Sequence, residues 1–121
     1  MVNANRERWL AIQIETLPAL EAVDEIAAID GVDLLFVGPT DLSVSLGVPG
    51  EFLHPKCVNA LKRVSTACAS AGKWWGALCP NVEHARHCRN LGCGLLSLHG
   101  DLTCFRRGVQ DLEDTFKEFM D

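Results

Sequence analysis

No stretch of the 121-residue sequence approaches the ~20 consecutive apolar residues that a membrane-spanning helix requires, so no membrane partner is expected. An excess of basic charge is also missing: the formal charge is -5 and the pI is near 5.3. Nucleic-acid binding relies on clustered Lys and Arg facing phosphates. The only adjacent arginines, Arg106-Arg107, are soon followed by Asp111, Glu113 and Asp114, the pattern of a solvated helix face. No nucleic-acid partner is therefore expected. The first residues, Met1 to Arg8, lack the apolar core of a secretory signal, and a cytoplasmic protein is expected. None of the six cysteines (57, 68, 79, 88, 93 and 104) forms a Cys-x-x-Cys pair, and most sit where a small apolar residue would fit. Reduced, buried thiols are expected rather than disulfides. A Gly-x-Gly-x-x-Gly run after the first strand is absent as well, which counts against an open-sheet nucleotide binder.

What is present is a chain 48% hydrophobic and 22% charged, able to bury a sizeable core in one domain spanning residues 1–121. Trp9 to Ile14 is a short apolar run with Gln13 near its end, the look of a strand buried on both faces. Leu20, Val23, Ile26 and Ala27 at steps of three or four predict a helix closed by Asp30-Gly31. Val32 to Val37 is a second strand, stopped by Gly38-Pro39 and followed by a long loop through Gly50. A helix begins after His54-Pro55, carries Val58, Leu61, Val64 and Cys68 on one stripe, and ends at Gly72. Trp74 to Leu78 is a third strand. Asn81 caps a helix with Val82, Ala85, Cys88 and Leu91 inward, Gly94 to Leu98 is a fourth strand, and Leu102 through Phe119 mark a closing amphipathic helix. Four parallel strands alternating with four helices place the chain in the α/β class. Composition alone leaves a barrel and an open doubly wound sheet both standing.

In such folds functional groups collect where strands end and βα loops begin, which selects Gln13 and Glu15, Gly38 to Asp41, Cys79-Pro80, and His99 to Asp101. Gln13 and Glu15, two apart on a strand, leave the same face. Two carboxylates, Glu15 and Asp41, suit a hard divalent cation such as Mg2+ or Mn2+, which prefers oxygen donors and keeps positions for water and substrate. On spacing alone, the structural reading, with Glu15 a paired acid and Asp41 a helix or turn cap, stands ahead of the metal site.

The sequence around these residues resembles the HpcH/HpaI aldolase family. The resemblance rests on Gln13-Ile14-Glu15-Thr16, on Gly31 through Gly38-Pro39-Thr40-Asp41-Leu42-Ser43, on Ser45 to Gly50 and on His54-Pro55, and it runs from Ala4-Asn5 to Leu102. It implies the C-terminal half of a (β/α)8 TIM barrel, a (β/α)4 half barrel, because a full barrel needs ~250 residues. It further implies a class II carbon–carbon lyase acting on 4-hydroxy-2-keto or 2-keto-3-deoxy acids, with pyruvate or another 2-keto acid and an aldehyde as reaction partners. Glu15 and Asp41 are then the metal ligands, for Mg2+ or Mn2+ with Co2+ or Zn2+ as alternatives. Gln13, Thr40 (through its backbone N–H) and Asp41 contact the keto acid. The family usually has alanine where Thr40 stands. A Schiff-base route would need a desolvated lysine at a strand end, whereas Lys56, Lys62 and Lys117 fall on predicted helices and Lys73 precedes its strand.

The resemblance also implies that the base-assisting histidine and the oxyanion arginine come from the first half of the barrel, so the catalytic residues are not assigned within this chain. His54 is expected to serve the start of its helix. His84 and His87, with Cys88, have a metal-capable spacing, but their helix is expected on the barrel's outside, with the histidines on its solvated face. His99, at the fourth strand's end, is a candidate for the site, and Trp74-Trp75 are expected to pack or to contact a subunit. A half barrel has two unpaired edges and an apolar inner face, so a homo-oligomer or pairing with an N-terminal half is expected. The alternative to an aldolase is a non-catalytic half-barrel remnant that oligomerises and keeps a metal site without turnover.

Overall fold

In the computed structural model, which describes residues 7–120, the four apolar runs become the four strands of one parallel sheet in the order β1-β2-β3-β4. Ala4-Asn5, where the resemblance begins, lie outside those residues. The strands are β1 (Ala11–Ile14), β2 (Leu34–Val37), β3 (Trp74–Leu78) and β4 (Leu95–Ser97). The helices are α1 (Leu17–Glu21), α2 (Val23–Ala28), α3 (Pro39–Ser45), α4 (Pro55–Ala71), α5 (Val82–Asn90) and α6 (Asp101–Thr115), followed by a 3₁₀ turn at Lys117–Phe119. Sequential parallel neighbours joined by helices are the βα units that the periodicity predicted.

Two crossovers are more elaborate than one helix each. The predicted first helix is divided at Ala22, whose backbone (φ -89°, ψ 11°) leaves the helical region and serves as C-cap of α1 and N-cap of α2. The predicted loop after β2 begins instead with α3. Pro39, taken as a stop, occupies the first turn of that helix, where its missing N–H costs nothing. The caps at His54, Asn81 and Gly72 follow the sequence signals, and Thr16 adds one that the periodicity did not mark. Thr16 accepts from Ala19 N, His54 Nδ1 from Lys56 N, and Asn81 Oδ1 from His84 N, while Gly72 closes α4 in the left-handed conformation at φ 66°.

One face of the sheet carries the core. Ile14, Leu35, Val37, Trp75 and Ala77 pack against Val23 and Ala27 of α2 and against Leu61, Val64 and Cys68 of α4. Strand alternation turns Ala11, Gln13, Leu34, Phe36, Trp74 and Gly76 toward the opposite face. There no second layer lies over the sheet among the described residues, and Trp74 remains 69% exposed, its ring lying across Gly94. β1 is therefore not buried on both faces as expected: only Ile14 of its four residues is buried, because β1 is an edge strand with one covered side.

The two C-terminal helices also depart from expectation. In α5 the inward face is His84 and Cys88, with Ala85 and Leu91 half-buried, whereas Val82 stands 64% exposed. The Asn81 cap fixes the helix phase so that positions 84, 88 and 91, not 82, meet the sheet. α6 is amphipathic as predicted but buries no residue at all: Leu102, Phe105, Leu112 and Phe116 are each more than half exposed.

Candidate functional site

The C-terminal end of the sheet gathers the oxygen donors. Register pairs Gln13 with Phe36 and Ile14 with Val37, and the Gly38 amide donates to the Ile14 carbonyl at 3.2 Å, which sets Glu15 beside Gly38. Gln13 Nε2 donates to Glu15 Oε2, so the two side chains that share a strand face meet directly. A Cβ at position 38 would fall 2.8 Å from Gln13 Nε2 and 2.9 Å from Glu15 Oε2. Only glycine leaves this pair its space.

Asp41 lies in the first turn of α3, three residues past Gly38, and Thr40 precedes it in that turn, both exposed. The turn is held by Ser43, a fully buried hydroxyl that donates to the Thr40 carbonyl at 2.7 Å and accepts from the Gly50 amide at 2.9 Å. Ser45 Oγ, at the end of α3, accepts from the Leu17 amide at 2.7 Å and ties α3 to the segment after Glu15. Sequence reasoning missed Ser43, although a serine between a Pro-initiated turn and a Gly-rich loop is the signal that marks such a tie. A carboxylate on each of two neighbouring βα junctions, with a carboxamide orienting one of them, is an all-oxygen donor set that fits a hard divalent cation.

The four lysines are placed elsewhere. Lys73 Nζ donates to the carbonyls of Val32 and Ile29 at the N-terminal end of the sheet, Lys56 Nζ to that of Leu46; Lys62 is exposed on α4 and Lys117 sits in the last 3₁₀ turn. None is a buried amine at a strand end of the kind imine chemistry uses.

His99 adopts a positive φ of 65° and brings Nε2 within 3.5 Å of the Arg107 guanidinium, in a cleft of about 840 Å³ between α5, β4 and α6. His54 is a helix cap. His84 reverses the expectation of a solvated face. It is 1% exposed, meets Phe52 edge-on at 6.2 Å between ring centroids, and places Nδ1 3.6 Å from Cys88 Sγ. Burial, then the neighbouring His87, lowers the His84 pKa from its ordinary value. The cysteines follow the expectation of buried, unpaired thiols in five cases, Cys104 alone being exposed. Burial raises Cys57 and Cys79, pushes Cys68 and Cys93 up to about 11, and raises Cys88 furthest, with Cys79 and Cys93 adding to it.

Comparison with known proteins gives the family: the HpcH/HpaI aldolase/citrate lyase profile matches residues 2–107. The chain belongs to the HpcH/HpaI family. A 5-keto-4-deoxy-D-glucarate aldolase of Escherichia fergusonii is 37% identical over 97% of this chain and 46% of its own length. Among solved structures, an HpcH/HpaI aldolase/citrate lyase family protein from Burkholderia cenocepacia J2315 superimposes with a TM-score of 0.83 at 33% identity, covering 96% of this chain and 45% of that one. An HpcH/HpaI aldolase from Desulfitobacterium hafniense DCB-2 gives 0.82 at 30% identity, covering 94% and 44%. The chain thus spans about half the length of the HpcH/HpaI relatives it matches. The open face of the sheet is the side that a closed barrel turns inward. The fold is half of a (β/α)8 barrel.

Proposed function

We propose that this HpcH/HpaI chain carries the cation and keto-acid half of a metal-dependent aldolase that cleaves or forms 4-hydroxy-2-keto or 2-keto-3-deoxy acids, with pyruvate and an aldehyde as the fragments. The observation that carries this reading is the contact of Gln13 with Glu15 against Gly38, at the strand end adjoining the turn that bears Asp41. Glu15 and Asp41 hold the divalent cation, Mg2+ or Mn2+ being favoured by an all-oxygen donor set. When bound, the cation supplies electrostatic stabilisation of the negative charge that develops on the keto acid as the C–C bond breaks.

The chain's own residues position the reactants. Gln13 holds Glu15 by one N–H and keeps its remaining hydrogen-bonding capacity for the keto acid. Thr40 lies in the first turn of α3, where backbone N–H groups have no partner within the helix, and its amide is offered to the substrate carboxylate. Ser43 fixes that turn by holding the Thr40 carbonyl. The extra bulk of threonine over the family's usual alanine narrows the pocket beside that amide.

The general base and the oxyanion donor come from the other half of the barrel, supplied by an N-terminal half; a second copy of this chain closes the sheet without bringing either group. The uncovered sheet face, with Trp74 exposed, and the bare apolar stripe of α6 support pairing. The test is pyruvate release from a 4-hydroxy-2-keto acid, or oxaloacetate decarboxylation, by the assembled protein with Mn2+. Turnover is expected to vanish on chelation and in Glu15→Ala; turnover indifferent to both would overturn the proposal. A second reading, a half barrel that pairs and keeps a cation without turnover, is favoured by the contact of His99 with Arg107 away from the carboxylates. Mn2+ bound in a Glu15-dependent way with no pyruvate released would establish it.

A further inference from the structure

We propose that Cys79, His84 and Cys88 form a second metal site, a buried soft-donor cluster for zinc that pins the C-terminal end of β3 to α5. One ligand atom from each of the three lies within 4.8 Å of the others, and all three residues are buried. Cys79 follows β3 directly, while His84 and Cys88 stand one turn apart on the inward face of α5, so the set joins two elements across the Cys79-Pro80-Asn81 connection. The separation of 3.6 Å between Cys88 Sγ and His84 Nδ1 is close to the roughly 3.5 Å between a sulfur and a nitrogen on one tetrahedral zinc with ordinary bond lengths. Cys79 Sγ donates to the Ala77 carbonyl at 3.7 Å, which holds that thiol at the end of β3.

Donor chemistry separates this cluster from the Glu15 and Asp41 site. Two sulfurs and an imidazole select zinc or copper(I) over Mg2+ and Mn2+. Charge then selects between those two. Two thiolates and a neutral imidazole around Zn2+ carry no net charge, whereas the same ligands around Cu+ leave one negative charge in a core position, which is costly. Cys93 Sγ is engaged with the Leu95 carbonyl at 3.3 Å and the Trp75 carbonyl at 3.7 Å, so the fourth position on the zinc is left to a small exogenous donor such as water.

Binding displaces protons. Each ligating thiol loses its proton to solvent as its sulfur–zinc bond forms, and His84 binds through an unprotonated nitrogen, the form that its burial already favours. Without metal, the same thiols pack as neutral, apolar groups.

The experiment is to refold the protein with Zn2+ under a non-chelating phosphine reductant, desalt it, and count metal per chain by native mass spectrometry, with Co2+ substituted in parallel. One zinc per chain is expected, together with thiolate-to-cobalt charge-transfer absorption in the near ultraviolet and a higher thermal midpoint than the metal-free wild-type chain. Cys88→Ala is expected to lose both the zinc and the absorption band. Cys104→Ser, which alters the exposed thiol, and Glu15→Gln, which alters the oxygen-donor site, are expected to keep both. A wild-type chain that retains no zinc, shows no charge-transfer band and melts at the same temperature with and without Zn2+ would overturn the proposal, whether or not Cys88→Ala folds. Loss of the metal in Glu15→Gln would also overturn it, as would retention of copper(I) in preference to zinc.

Discussion

Gly38 leaves no room for a side chain, and that constraint reaches the site it borders. A methyl group there would press on Gln13 Nε2 and Glu15 Oε2 at once, both under 3.0 Å away. Gly38→Ala is expected to cut metal-dependent turnover about 100-fold, the scale of a displacement on the order of 1 Å in a positioned group, while circular dichroism stays native. Ser43 is the other small residue with a large role. Ser43→Ala removes the donor to the Thr40 carbonyl and the acceptor for the Gly50 amide at a buried position. It is expected to lower stability by about 1–3 kcal/mol in urea denaturation. His84 sets an acid limit in the metal-free chain. Its folded pKa lies below its ordinary value of 6.5, so the unfolded chain takes up the proton first. The stability this contributes is complete above 6.5 and is lost as the pH falls toward the folded value. The raised thiols give the opposite limb: the unfolded chain releases protons from 9.0 upward, so stability falls as pH rises through and beyond 9.0. Thermal midpoints between pH 5 and 10 in chelator are expected to trace both limbs.

Among the elements, α4 and α6 are opposites that look alike in sequence. Both carry a clear apolar stripe, but α4 buries Cys57, Ala60, Leu61, Val64, Ala67 and Cys68 against the sheet, and α6 buries nothing. Leu61→Ala is expected to cost about 2–5 kcal/mol, the range for emptying a well-packed core position. Hydrogen exchange is expected to separate the helices further: amides of α6 in the isolated chain exchange much faster than those of α4, because local opening of α6 exposes no additional core. Equal protection of the two would mean that α6 is covered. Periodicity located both helices and marked which face of each is apolar. Whether a partner layer exists for that face is a property of the surroundings, and no pattern within the helix encodes it.

For the whole molecule, the sheet is a two-sided object with one side finished. Its helix-covered face holds the core, while the other presents Trp74 beside Leu34 and Leu95, together with an edge strand at each end. Sedimentation at micromolar concentration is expected to show association with a second copy or an added N-terminal half, weakened by Trp74→Lys. A well-folded monomer under those conditions would defeat the pairing expectation. The continuous apolar strands made this foreseeable, since runs such as Val32 to Val37 are written for burial on both faces.

The sequence by itself determined the parallel α/β class, the approximate extent of all four strands, the helix starts at His54 and Asn81, and, through the Gln13-Ile14-Glu15 and Gly38-Pro39-Thr40-Asp41 motifs, the membership in a family of carbon–carbon lyases. These are local matters: period, cap chemistry and motif are set by residues within a few positions of one another. Tertiary structure alone decided that His84 turns inward, that Cys79 from one element meets Cys88 of the next, and that Gly38 lies against Gln13 and Glu15. Each of those depends on helix phase or strand register, which a sequence constrains only through packing partners that lie far along the chain.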